Sequence, residues 1–334
     1  MLGKLAQITC AAVAIAASCL GIGDASAQAR PAGAQGYPEK LVRMIVSTPP
    51  GSGPDVMGRL LGNKLGEIWG QTVIVENIVG AGGNIGHARG AKAAPDGYTI
   101  LMGLFGPMSV NSNLVDKMPF DPVKDLAPVT LLITLPNILA VHPSVPATNL
   151  RELIAYAKHN PGKLRYGFPG FGTSIHLSAE LFNMMAGVKT TGVGYTSSAQ
   201  MTTDLIGGHI EMSFHNAPVV LPHVRSGALR GIAITSAQRN AAAPDIPTLS
   251  EAGLPGYEMI PWYAMYVPVG TPQAVIARLN TDIARVLSLP DIKAWIAAQA
   301  GEAGGDTPEA LAAFQAAKTV KWKNLIKAAD IKAQ

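Results

Sequence analysis

The sequence predicts an α/β protein built as two lobes that are joined by two crossing strands. Short apolar runs rich in β-branched residues alternate with stretches of helical spacing along most of the chain, which is typical of βαβ units and parallel sheets. Two longer extended apolar runs, residues 129–142 and 259–268, flank the middle block of this alternation. Because each run leads from one block to another, the two runs predict a hinge, and a hinge implies a cleft between the lobes.

These two runs also set the predicted domain bounds. We expect a leader over residues 1–27 and a disordered lead over 28–36. Residues 37–135 together with 262–334 form the first lobe, and residues 136–261 form the second. Without the leader, the chain is still long enough for both lobes to bury a core.

The alternation assigns the elements in chain order. Strands are predicted from short β-branched and apolar runs at residues 40–46, 71–77, 163–168, 190–195, 209–214 and 229–235, and residues 94–103 are predicted to be a turn followed by a buried strand. Helices are predicted where apolar residues recur every three or four positions, as at 57, 60, 61, 65 and 68. They cover residues 56–69, 85–94, 149–160 with Asn149 as N-cap, 175–185, 199–208, 219–227, 271–289 and 307–329.

The first residues have the features of a secretory signal peptide. Lys4 precedes an uncharged, mostly apolar run over residues 5–23, and Ala25-Ser26-Ala27 fits the small-residue cleavage pattern. We therefore expect cleavage after Ala27 and a periplasmic protein. An uncleaved membrane anchor and a lipid anchor at Cys19 are the alternatives.

Composition excludes several classes of function. The only cysteines, Cys10 and Cys19, lie in the predicted leader, so the mature chain has no disulfide, no thiolate nucleophile and no cysteine metal ligand. The formal net charge of +4 is mild and no run of basic residues is present, so we expect no nucleic-acid partner.

Three glycine-rich turns each lie between a predicted strand and a predicted helix: Pro49–Asp55, Gly80–Gly86 and Pro169–Ser174. Glycine lets the backbone turn sharply and exposes N–H groups at the positive end of the following helix. In two-lobed sheet proteins, ligands bind at the carboxyl ends of strands. Two such turns that face each other across a cleft would hold an anion without lysine or arginine. The alternative is that the turns only connect their elements.

The turn at Gly80 does not have the spacing of a dinucleotide site. In the pattern G-x-G-x-x-G the third glycine would fall on Ile85, and no acidic residue follows about 20 residues later to bind a ribose. We therefore expect no nicotinamide and no other cofactor.

The chain also lacks the motifs of common hydrolases. Neither G-x-S-x-G nor H-E-x-x-H occurs, and Ser174 and His176 are two residues apart, so they do not share a helix face. His209, His215 and His223 do not have zinc-ligand spacing, and we expect no metal site. We predict a binding protein rather than an enzyme, with an exported hydrolase of small carboxylic esters or amides as the alternative.

Several segments, taken in order, resemble one known family. They include YPEKLVRMIVSTPPGSGPDVMGRLL at residues 37–61, VIVENIVGAGGNIG at 73–86, GTSIHLSAELF at 172–182 and PTLSEAGLPGYE at 247–258. This order resembles the Bug family, the substrate-binding receptors of tripartite tricarboxylate transporters, from about Tyr37 to near the C-terminus.

The resemblance implies a type II periplasmic-binding-protein fold, the Venus flytrap, with a small organic carboxylate held between the lobes. It implies that two glycine-rich turns supply backbone amides, partly through ordered waters. The implied partner is a membrane permease of the tripartite tricarboxylate type or a signalling protein, and we expect a monomer. On this sequence the implied ligand-binding residues are Pro50, Gly51, Ser52 and Gly53 in one turn, and Gly172, Thr173, Ser174 and His176 in the other.

The chain departs from the family pattern at two charged positions. Members often have V-P-Y-K-G where this chain has Val193-Gly194-Tyr195-Thr196-Ser197, and aspartate where it has His215. No partner for a ligand ammonium is then expected at His215, which argues against an amino-acid ligand. A flatter or less polar carboxylate would fit the candidate lining residues Phe105, Phe171, Tyr195, Phe214 and Trp262.

Three candidate side chains have two possible roles each. Asp55 either polarises a ligand or its water, or caps the first helix. His176 lies in the first turn of its helix, where a proton would oppose the helix dipole, so we expect a neutral ring that hydrogen-bonds locally; a ligand contact is its other role. Trp262 either lines the cleft or belongs to the core of its lobe.

Overall fold

The computed structural model describes residues 36–328 and residue 331. The predicted signal peptide and residues 28–35 of the predicted lead lie outside the described residues. The strands are β1 Val42–Val46, β2 Val73–Asn77, β3 Thr99–Leu104, β4 Leu126–Thr134, β5 Asn137–Val141, β6 Arg165–Phe168, β7 Thr191–Gly194, β8 Met212–Asn216, β9 Arg230–Ile234, β10 Trp262–Pro268 and β11 Glu302–Ala303. The α-helices are α1 Gly53–Trp69, α2 Asn84–Ala91, α3 Leu150–His159, α4 Ser174–Ala186, α5 Ser198–Ile206, α6 Ala217–Arg225, α7 Leu249–Ala252, α8 Gln273–Leu287, α9 Pro290–Ala298 and α10 Pro308–Ala328.

The first sheet takes strands from both ends of the described chain, in the order β11-β4-β10-β3-β1-β2. β1 pairs in parallel with β2 and β3, whereas β10 runs antiparallel to β3 and β4. Met44 and Val46 of β1 share a buried core with Met57 and Leu61 of α1. The helical spacing predicted for α1 is therefore confirmed, and the helix begins at Gly53, where Pro54 supplies a first-turn residue with a preset φ.

The second sheet is built from the middle of the chain, in the order β7-β6-β8-β5-β9. β6 is parallel to β7 and β8, and β5 is antiparallel to β8 and β9. Phe182 of α4 packs on Phe214 of β8, with ring centroids 5.8 Å apart. Asn149 caps α3 as predicted, because its side chain accepts the Glu152 N–H at 3.0 Å.

Two chain segments connect the sheets and contact each other. Leu135 N–H, between β4 and β5, donates to the Pro261 carbonyl just before β10 at 2.9 Å. Further back in the second segment, the Tyr257 hydroxyl donates to the Ser178 carbonyl of α4 at 2.8 Å. The next residue, Glu258, contacts Lys318 and Lys321 of α10 instead. Neighbouring residues of this segment are thus attached to opposite sides of the hinge.

Two of the differences between the predicted and the observed elements follow from prolines. The run at residues 129–142 is not one strand but β4 and β5, which lie in different sheets and are separated by Leu135-Pro136. Proline has no N–H for a sheet hydrogen bond, so it marks the break. Helix α2 ends at Ala91 rather than Ala94, because a residue before proline, here Pro95, is disfavoured in helical conformation. The exact lobe bounds stay a prediction.

Candidate functional site

The turn after β1 is held in shape by Asp55. Gly51 has a φ of +79°, which favours glycine. Its N–H donates to Asp55 Oδ2 at 2.8 Å. The same carboxylate accepts from Arg59 Nε at 3.0 Å and from Asn77 Nδ2 at 2.8 Å. Asp55 is buried, so it closes the turn on itself and ties the start of α1 to the end of β2.

The electrostatics of Asp55 follow from these donors. Burial raises the pKa of the Asp55 carboxyl, but hydrogen bonds from Arg59, Gly51 and Asn77 outweigh burial and hold the pKa below its ordinary value. Asp55 is the third residue of α1, after the N-cap Ser52, whose own side chain makes no capping bond. Asp55 therefore has a capping-type role at this helix, and its proposed contact with a ligand stays a prediction.

The backbone N–H groups of this turn differ in whether they already have a hydrogen-bond acceptor. The Gly51 and Ser52 amides already donate, to Asp55 and to the Pro49 carbonyl. The N–H groups of Gly53 and Asp55 have no acceptor among residues 36–328. The positive end of α1 thus presents two amides in its first turn, where such groups have no partner inside the helix.

The turn after β6 repeats this arrangement with different side chains. Thr173 is the N-cap of α4, and its hydroxyl oxygen accepts the His176 N–H and donates to the Gly170 carbonyl at 2.7 Å. Gly172, with a φ of +74°, donates its N–H to His176 Nδ1 at 3.4 Å. In the described part of the chain, the N–H groups of Ser174 and Ile175 have no acceptor. The positive end of α4 therefore also presents two free amides.

The predicted local hydrogen bond of His176 is confirmed. Because Gly172 donates to Nδ1, the ring proton is on Nε2, and burial lowers the pKa of His176 to about 4. The ring also packs against Phe168 and Phe171, with centroids 4.8 and 5.2 Å away. Phe171 keeps 39% of its surface exposed, so it forms an aromatic edge beside α4.

The two lobes meet at the turn after β6. A Cβ built on Gly172 would lie 2.7 Å from Oδ1 of Asn111, which belongs to the segment between β3 and β4. A Cβ on Gly106 of that segment would lie 3.3 Å from the Gly172 carbonyl. A Cβ on Gly82, in the turn after β2, would lie 3.8 Å from the Phe171 carbonyl. Glycines on both sides thus let the backbones approach, as in a closed cleft.

The turn after β2 belongs to the same region and depends on His87, which sequence reasoning missed. His87 Nδ1 donates to the Gly83 carbonyl at 2.9 Å, and its Nε2 accepts the Leu104 N–H at 3.1 Å. A Cβ on Gly83 would lie 3.0 Å from Ser47 Oγ, at the end of β1. His87 therefore fixes the start of α2 against the end of β3. The sequence signal that could have revealed this role is the spacing of four residues between Gly83 and His87.

The predicted lining aromatics are not all in one place. Phe105 and Trp262 are buried and pack edge-on against α10, Phe105 on Trp322 at 5.3 Å and Trp262 on Phe314 at 5.6 Å between centroids. Phe214 is enclosed in the core of the second lobe. The Tyr195 hydroxyl donates to Asp204 at 2.9 Å. A ligand contact by any of these side chains stays a prediction.

His215 is buried and neutral. Thr202 donates its hydroxyl to the Ser198 carbonyl at 2.8 Å, so it accepts from His215 Nε2, also at 2.8 Å. The Nδ1 atom has no partner within the described residues. Burial, followed by the charge of His223, lowers the pKa of His215 to about 4. The neutral His215 ring therefore has an acceptor lone pair on Nδ1 and carries no charge.

Three further features of the described residues bear on the class of protein. None of the helices in residues 36–328 is long and apolar enough to cross a bilayer. No group of three or more histidine or acidic side chains in that range is placed to hold a metal ion. Two surface clefts of about 580 and 570 Å³ lie beside Pro119 and beside the start of α3, and neither is lined by a predicted ligand-binding residue.

Acid should destabilise the fold through its buried histidines. Burial lowers the pKa of His87, His176 and His215 from the ordinary 6.5 to about 4 each. Between these values the unfolded chain binds protons that the native state does not, so the free energy of unfolding falls as pH falls. Each histidine contributes a slope of up to about 1.4 kcal/mol per pH unit.

Urea unfolding at pH 7.5, 6, 5 and 4.5 measures this slope. The stability contribution is complete above pH 6.5 and is lost toward pH 4. His87→Gln removes one of the three titrating groups and should reduce the slope. A free energy of unfolding that is flat from pH 6.5 to 4.5 would contradict the assignment.

The two sheets, joined by two chain segments and meeting at glycine-rich turns, have the architecture of a two-lobed periplasmic binding protein of the α/β class. Residues 57–331 match the tripartite tricarboxylate transporter family receptor, and the chain belongs to this family of periplasmic solute-binding receptors. It is 35% identical to BugT of Bordetella pertussis over 300 residues, which is 90% of this chain and 92% of BugT.

Solved structures of related receptors have the same fold. Rpa4515 from R. palustris, determined with adipate, is 34% identical and superposes with a TM-score of 0.83 over 89% of this chain and 99% of that one. MatC from Rhodopseudomonas palustris, with bound malate, is 28% identical with a TM-score of 0.79 over 87% of this chain and 100% of MatC. The two-lobed fold predicted from the sequence is confirmed.

Proposed function

We propose that this receptor binds a small organic carboxylate between its lobes and delivers it to a membrane permease of the tripartite tricarboxylate type or signals its presence. One observation carries the proposal: the first turns of α1 and α4 each present two N–H groups without an acceptor among the described residues, and the turn that leads into α4 lies where the lobes meet. Main-chain amides at helix starts bind anions without a cationic side chain.

Two relatives support a carboxylate as the ligand, since Rpa4515 was solved with adipate and MatC with malate. For this chain we narrow the predicted amides to Gly53 and Asp55 on one side and Ser174 and Ile175 on the other. Gly51, Ser52, Gly172 and Thr173 then shape the turns, because their N–H groups already have acceptors.

The mechanism that we propose is closure. A ligand that contacts both helix starts favours the state in which Gly172 lies against Asn111, because only that state lets it touch both lobes. His215, neutral and buried, offers no charge to a ligand ammonium. We therefore propose a carboxylate that is not an amino acid, bound by a monomeric receptor.

We propose no catalytic activity. A hydrolase needs a base in contact with its nucleophile, and His176 Nδ1 accepts from the Gly172 N–H rather than from Ser174.

A melting screen tests the proposal. Aliphatic and aromatic mono- and dicarboxylates, including adipate and malate, are added to the mature protein. At 100 times its Kd a ligand stabilises the native state by about 2.7 kcal/mol, which for a chain of this size should raise the Tm by about 5 °C or more. The control is the uncharged amide of each active acid, which is the diamide for a dicarboxylate, and it should give no shift.

Two results would contradict the proposal. One is the absence of any shift with every carboxylate, and the other is an equal shift with the diamide. Turnover of p-nitrophenyl esters of the same acids would instead favour the hydrolase.

A further inference from the structure

The hydroxyl of Tyr263 lies against the first turn of α1. A Cβ built on Gly53 would be 3.4 Å from Tyr263 Oη. Tyr263 is the second residue of β10, directly after the segment that crosses between the lobes. Its side chain is half-buried, and its hydroxyl is not among the fully buried polar atoms that lack a partner in the described residues.

The register of the sheet explains this position. In β10, Tyr263 is opposite Leu104 of β3 and Met265 is opposite Met102. Side chains two apart on a strand share a face, and Met102 packs under α1, where a Cβ on Gly58 would be 3.5 Å from its methyl group. Tyr263 therefore points to the α1 side, on the same face as Met265 and two residues nearer the start of β10.

The Tyr263 hydroxyl has no hydrogen-bond partner among residues 36–328, unlike the Tyr266 hydroxyl on the same strand, which donates to Gln315 at 2.9 Å. Burial raises the pKa of Tyr263 far above its ordinary value, so the phenol is protonated at neutral pH and can donate. The Gly53 and Asp55 amides in the adjacent turn are also donors without acceptors. The two amides can only donate, so the ligand end beside them must accept, and the Tyr263 hydroxyl can donate to the same acceptor.

We propose that Tyr263 is a specificity-determining residue that donates its hydroxyl proton in a hydrogen bond to the ligand carboxylate at the start of α1. The inference rests on the proposed function and adds a side chain to a site otherwise made of main-chain amides. It assigns an acceptor, the ionised carboxylate, and not an ammonium group, to the α1 end of the ligand.

Calorimetric titration of Tyr263→Phe with adipate, malate and the most active acid of the melting screen tests this inference. A hydrogen bond to a charged group lost without a replacement should raise the Kd about 10- to 100-fold. The Tm of the unliganded variant should stay within about 2 °C of the wild type, because the hydroxyl has no partner among the described residues.

The matched control is Tyr266→Phe, which loses the bond to Gln315 and should lower the Tm without changing the Kd. Wild-type affinity in Tyr263→Phe would overturn the role of Tyr263 alone and leave the receptor intact. A wild-type protein that binds none of the acids would overturn the proposed function, and this inference with it.

Discussion

Gly172→Ala is expected to weaken carboxylate binding about 10- to 100-fold while the protein still folds. The added methyl group would lie 2.7 Å from Asn111 Oδ1 and 3.3 Å from Leu114 Cδ1, both in the other lobe. Overpacking of this kind costs about 1–3 kcal/mol, and here the cost falls on the closed state only. The ligand must then offset it, so the Kd measured by calorimetry rises.

Gly227→Ala is the matched control for the backbone. Gly227 has a φ of +78°, close to the +74° of Gly172, but a Cβ there meets no atom within 4 Å. In both variants an alanine in the left-handed conformation costs about 1 kcal/mol, so both should lose a similar amount of stability. Only Gly172→Ala should lose affinity; equal affinities in the two variants would contradict closure at this contact.

Asp55→Asn is expected to lower the free energy of unfolding by about 2–3 kcal/mol and to weaken binding as well. All three groups that contact the Asp55 carboxylate are donors: the Gly51 N–H, the Arg59 guanidinium and the Asn77 amide. An asparagine would place its own NH₂ against a donor and leave a buried group unsatisfied. The turn that carries the Gly53 amide would then lose its shape. Urea unfolding and calorimetry measure the two effects.

Asp291→Asn makes the same chemical change at an exposed position. Asp291 pairs with Lys64 and its side chain is 58% exposed, so the substitution should cost less than about 1 kcal/mol and leave the Kd unchanged. If Asp55→Asn were no more destabilising than Asp291→Asn and bound ligand normally, the role of Asp55 in shaping the turn would be wrong.

Much of the fold was predictable because local patterns carry it. The spacing of apolar residues in α1, the N-cap at Asn149 and the β-branched runs each record a local preference that tertiary packing did not override. The prediction of one extended run over residues 129–142 was wrong, because an apolar run does not indicate which sheet each of its two ends joins. Pro136 was the signal for the break.

The site was predictable as a pair of turns but not atom by atom. Which amides are free depends on Asp55 reaching back to Gly51, and on Asn77, 22 residues further along. Phe105 packs on Trp322 and Trp262 packs on Phe314, both in α10. In sequence, each of these two α10 residues is more than 50 positions from its partner. Tyr263 acquires its position from sheet register. Such contacts between distant segments leave no periodic trace in a sequence.

We propose that the starts of α1 and α4 hold the two sides of one carboxylate ligand. The sharpest test is a crystal structure of the mature protein with the most active acid of the melting screen. We expect ligand carboxylate oxygens bonded to the Gly53 and Ser174 amides, directly or through one ordered water, with Gly172 against Asn111, as this proposal requires. A ligand bound outside the cleft, or held there by cationic side chains with those amides unused, would contradict it.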